Sequence, residues 1–91
     1  MLPPYLAIAA ERVHQDEEWG WPREGLDEHD WLAILGEEFG EASKAVVEIG
    51  FYKRREDPIS AEQAGLVKEL VHTAAVCVAW LQSIELEGDG A

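Results

Sequence analysis

The chain is nearly without cysteine. Cys77 stands alone among 91 residues, so no disulfide can form within the chain, and a reducing, cytoplasmic setting is expected. Positive charge is equally scarce. Seven lysines and arginines face nineteen acids, a net charge of −12, which argues against nucleic-acid backbones and anionic membranes as partners. A nucleotide is not excluded, provided a metal bridges its phosphates to the carboxylates. Long hydrophobic runs are missing too: the longest nearly apolar stretch, Leu70 to Leu81, is too short to cross a bilayer. Met1-Leu2-Pro3-Pro4 lacks the basic start and apolar core of a signal peptide. There is no glycine-rich phosphate loop, and Cys77 has no basic neighbour to activate it as a nucleophile. Repeats and convincing strands are absent. What is left is one small all-α domain, residues 1–91, whose single core is marginal at this size and is expected to be completed by oligomerisation.

The helices follow from periodicity. Tyr5 to about Glu18 reads as the first, with Leu6, Ala9, Ala10 and Val13 as its stripe and Arg12 and Gln15 beside it. Arg12 either reaches a pocket or pairs with Asp16 one turn on. Trp19 to Gly25 is a loop, broken by two glycines and Pro22. Its tryptophans need cover: Trp21 as a plug on the bundle, Trp19 as a plug or as a stacking surface for a base. Asp27 is a plausible N-cap for a second helix over Glu28 to Arg55. With Leu35 set at zero and about 100° per residue, Trp31, Leu35, Phe39, Ala42, Val46 and Ile49 form its core-facing stripe. Gly36 and Gly40 within it suggest the close approach of another backbone. Lys53-Arg54-Arg55 closes the helix, either complementing its dipole or capturing a phosphate tail. Ser60 and Gln63 read as a capping box opening a third helix that runs to about Glu85, with residues 85–91 a frayed tail. That helix is apolar almost all round, so a second chain is expected to cover what one subunit cannot, in a homodimer or homotetramer.

Glu37-Glu38-Phe39-Gly40-Glu41 places three carboxylates in five residues. Glu38 and Glu41 fall next to the apolar stripe, with Ile34, Ala45 and Tyr52, while Glu37 lies further round near Lys44 and Glu48. Ionised carboxylates in an apolar sector need partners, and only one basic residue, Lys44, lies within a turn of Glu41. Glu69 and His72, three apart on the third helix, share a face. Glu-x-x-Glu facing Glu-x-x-His makes two ligand arms on two helices, suited to Mg²⁺ or Mn²⁺.

These residues, in this order, resemble the MazG-like all-α nucleoside triphosphate pyrophosphohydrolases, whose pattern is Glu-Glu-x-x-Glu, a spacer, then Glu-x-x-Asp. Glu37-Glu38-x-x-Glu41 and Glu69-x-x-His72 carry the likeness. The leader from Glu11 to Gly20 and Trp31-Leu32-x-Ile34-Leu35 add to it, so that it spans about Glu11 to Leu81. One position departs: His72 stands where the family has aspartate.

The resemblance implies Mg²⁺-dependent (or Mn²⁺-dependent) hydrolysis of a nucleoside triphosphate to the monophosphate and pyrophosphate. Glu38, Glu41, Glu69 and His72 would hold metal, and Glu37 would orient or deprotonate the attacking water. Lys44 would touch a phosphate, and Arg12, Gln15 and Trp19 the sugar or base. The alternative expectation is a non-catalytic helical oligomer that keeps the fold with a degenerate metal site at His72.

Overall fold

The structure, a computed structural model, describes residues 2–20 and 25–90, so the loop tryptophan Trp21 lies outside the described residues. Three helices make up the fold: α1 (Pro4–Trp19), α2 (Glu28–Arg54) and α3 (Leu66–Gly90), with no strand among the described residues. α3 packs against both α1 and α2, and these two do not pack on one another. The result is a flat layer with α3 in the middle, 56 × 28 × 19 Å overall.

Local chemistry explains the ends. Pro4 opens α1, where a missing N–H costs nothing. α2 begins with a reciprocal box: the Asp30 N–H donates to the Asp27 carboxylate at 2.9 Å, and the Asp27 N–H to the Asp30 carboxylate at 3.0 Å. At its far end Glu56 takes a left-handed φ of 59°, and Arg55 lies over the Phe51 ring at 5.3 Å. These cations stand about 24 Å along the helix from Glu38, counting the rise per residue, which leaves them the role of complementing the α2 dipole rather than a part in any site at Glu38.

The start of α3 departs from expectation. Ser60 and Gln63 do bond reciprocally, at 2.7 and 3.0 Å. The turn they cap is then closed at once. The Leu66 N–H donates to the Ala61 carbonyl and the Gly65 N–H to the Glu62 carbonyl, with Gly65 at φ 80°: a Schellman stop. The capped segment is a single turn, and α3 begins afresh at Leu66. It also continues to Gly90 instead of ending near Glu85.

The core is small. Trp31, Val76 and Ala79 form its buried centre, with Leu26, Ile34, Leu35 and Trp80 packed around them. Trp31 and Trp80 stack with centroids 6.4 Å apart and planes 9° from parallel. The buried face of α2 is rotated from the expected stripe. Trp31, Ala42 and Ala45 are buried, but Phe39 and Val46 are 64% and 55% exposed. Using about 100° per residue, the packed face centres on Glu38, not on Leu35. Gly36 and Gly40 have nothing within 4 Å of where a Cβ would stand, so among the described residues no backbone approaches them.

α3 is also covered differently from the expected pattern. Val71 is half-buried on the α1 side, lining a cavity with Ala7 and Ala10 of the same chain, and Ala75 is fully buried. The more exposed side of α3 carries Leu70, Cys77, Leu81 and Ile84. A folded chain of 10.1 kDa ordinarily exposes about 5,300 Å². This one exposes 6650 Å².

Candidate metal centre

All three helices send a carboxylate to one imidazole. His72 sits on the α3 face between the two outer helices. Its Nδ1 lies 3.6 Å from Glu38 Oε2 of α2 and 3.9 Å from Glu69 Oε2, one turn back on α3. Its Nε2 lies 3.4 Å from Glu11 Oε2 of α1. Glu38, Glu69 and His72 each offer one donor atom, and the three atoms lie within 4.8 Å of one another. All four side chains are partly buried.

The sequence makes this convergence unavoidable once α3 is central. Glu69 and His72 share a helix face by their spacing. Glu38 stands at the middle of the packed face of α2, and Glu11 shares with Ala7 and Ala10 the side of α1 that borders the cavity against α3. The electrostatic cost is visible at Glu38. Its carboxyl is raised above the ordinary range, first by loss of water around it, then by the nearby carboxylates of Glu69 and Glu11; His72 pulls in the opposite direction. Among the described residues no lysine or arginine forms an ion pair with Glu38 or Glu69, whose ion-pair contacts go to His72.

A divalent cation fits this donor set. It would supply the positive charge that neighbouring carboxylates lack, and two carboxylates with one imidazole suit Mn²⁺ somewhat better than Mg²⁺. Two of the expected ligands from one helix do not behave alike. Glu38 joins the group, whereas Glu41 is exposed and lines a small cavity, about 210 Å³, with Lys44, Glu48, Gly65 and Glu69. Glu69 thus borders both the cluster and this cavity. Glu37 is exposed and stands outside the grouped donors.

Arg12 and Gln15 are placed elsewhere. Both are buried, each 7% exposed. The Arg12 guanidinium donates to Gln82 Oε1 of α3 from Nε at 3.1 Å and from Nη2 at 2.8 Å, and to Gln15 Oε1 at 3.2 Å, and it pairs with Asp16 at 2.8 Å. This network braces α1 against the far half of α3. Trp19 is exposed at the end of α1. Glu11 is the residue that motif reasoning passed over. The available signal was its place one turn after Ala7, on the small-residue face of α1. A second cavity, about 370 Å³ and mostly apolar, adjoins Glu11 and His72 and is lined by Ala7, Ala10, Val67 and Val71 with Lys68 at its edge.

No family model, no curated protein and no solved structure matches this chain.

Proposed function

We propose that the protein is a metal-dependent nucleoside triphosphate pyrophosphohydrolase, yielding the monophosphate and pyrophosphate. The observation that carries the reading is the meeting of Glu38, Glu69 and His72, with donor atoms inside 4.8 Å, in the order of motifs that resembles the MazG-like enzymes. Bound Mg²⁺ or Mn²⁺ would polarise the phosphates and acidify a water. Glu38, Glu69 and His72 hold the ion. Lys44, which lines a cavity with Glu41 and Glu69, would meet a phosphate oxygen. The apolar cavity along Ala7, Ala10, Val67 and Val71 suits the base, on the other side of His72. Glu41 and Glu37, both exposed, are left for the water or for a second ion.

A second copy of the chain belongs to this reading. The exposed area exceeds the ordinary value by about 1,300 Å², more than the roughly 800 Å² that each partner buries in a standard interface. Leu70, Ala74, Cys77, Leu81 and Ile84 follow alternating steps of four and three along α3, the spacing of a helix seam, and no charge interrupts them. An uncharged seam on a chain of net charge −12 offers nothing for a cationic partner to recognise, and along it two such chains meet without bringing like charges together.

The test is a panel of ribo- and deoxynucleoside triphosphates assayed for pyrophosphate release with Mg²⁺ and with Mn²⁺. Activity is expected, and Glu38→Gln and Glu69→Gln should abolish it. A protein that binds Mn²⁺ yet releases no pyrophosphate from any of them is the non-catalytic helical oligomer. That second reading has one observation in its favour, the separation of Glu41 from the grouped donors.

A further inference from the structure

We infer that Glu11 is the positioning residue of the metal centre: it engages His72 Nε2 and so commits Nδ1 to the ion shared with Glu38 and Glu69. The inference rests on the metal site proposed above. It goes beyond it by assigning a role to a helix that carries none of the motif.

A neutral imidazole has one N–H and one lone pair, on opposite nitrogens. Both carboxylates of the candidate ligand set face Nδ1, Glu38 at 3.6 Å and Glu69 at 3.9 Å. Glu11 alone faces Nε2, at 3.4 Å. An ion held among Glu38, Glu69 and the imidazole takes the Nδ1 lone pair, and the proton then sits on Nε2, where Glu11 accepts it. Metal-bound histidines generally have such an outer partner, which fixes tautomer and ring orientation.

Glu11 is itself held in place. Its other oxygen lies 3.3 Å from His14 Nδ1, one turn on. The adjacent Arg12 is clamped to Gln82 of α3, which sets the rotation of α1 about its own axis. The arrangement also accounts for a histidine at position 72. An aspartate there would face Glu11 with like charge, whereas the imidazole stands between Glu11 and the other two acids.

Zn²⁺ is the probe, being diamagnetic, and the protein is ¹⁵N-labelled and studied at one fixed pH. The Zn²⁺-loaded protein should show His72 bound through Nδ1 with its proton on Nε2. Glu11→Ala should weaken Zn²⁺ binding roughly 10- to 100-fold and scramble the tautomer, and Glu11→Gln, which keeps an acceptor, should fall between. Glu17→Ala removes an exposed acid of the same helix that lies outside the cluster and should leave affinity unchanged. Zn²⁺ on Nε2, or equal affinity in Glu11→Ala, overturns the role of Glu11 while leaving the site standing. Equal Zn²⁺ binding by the unaltered protein and by Glu38→Gln removes the site itself, and Glu11 with it.

Discussion

The two sides of α3 are opposites. On one side His72 gathers Glu11, Glu38 and Glu69. On the other, about 140° to 180° round the helix, Leu70, Cys77 and Leu81 stand exposed. The first side is crowded with groups that repel, and the second is bare of groups that would attract. Both are costly when the chain is alone: a carboxylate loses water without gaining a full counter-charge, and large apolar side chains stay wet. The lesson is that each cost points to something added from outside, a cation on the polar side and a second copy on the apolar side, and that the two additions are independent.

The largest effect should come from the apolar side. Light scattering should give a dimer or tetramer mass, and Leu81→Glu should reduce it to the monomer, since an unpaired charge in an apolar interface costs several kcal/mol. Val71→Glu should act differently, because Val71 is half-buried on the α1 side of its own chain; it should lower the melting temperature first. A monomer mass for the unaltered protein at micromolar concentration breaks the comparison on that side. The next effect belongs to the polar side. Mn²⁺ at a hundredfold its dissociation constant should stabilise the fold by about 2.7 kcal/mol, read as a rise in melting temperature. Glu69→Gln should lose the rise while keeping the assembly mass. An unchanged melting temperature in saturating Mn²⁺ would sink the metal reading.

The smallest effect is a pH dependence without metal. The Glu38 carboxyl is raised in the folded chain, mainly by burial, so the folded state holds its proton more tightly than the unfolded state does. The stability this contributes is complete below the ordinary carboxylate range and is lost as pH rises through the raised value. Denaturant titrations in chelator should therefore show stability falling with pH across that window. Glu38→Gln should flatten the fall, and an identical slope in both proteins would mean that Glu38 is not under strain.

Helix number, the Asp27 cap and the pairing of Glu38 with Glu69 and His72 were legible because each rests on spacing within one helix or two. What was hidden depends on which helix sits in the middle. Periodicity pointed to Leu35 as the centre of the α2 stripe, because it weighs apolar residues alone; packing centres it on Glu38, leaving Phe39 and Val46 outside. A second chain was expected over the rest of α3, and on one side Val71 instead borders a cavity with Ala7 and Ala10 of α1. The cap at Ser60 was read correctly and the helix start was not, since Gly65 ends the turn five residues later. Glu11 was hidden because a single acid on an otherwise acidic leader has no pattern. Arg12 gave two readings, and its bonds to Asp16, Gln15 and Gln82 favour the internal one.

The middle position of α3 has a consequence for how the molecule comes apart. α1 and α2 share no packing surface, so α1 can peel from α3 while the Trp31–Trp80 stack and the rest of the α2–α3 core stay closed. Such an opening is sub-global, cheaper than full unfolding, and it would show as amide exchange in α1 running ahead of α2 and α3. It would also carry Glu11 away from His72 and open the apolar cavity along its length. α1 is in this sense a hinged wall, latched at its middle by Arg12 on Gln82.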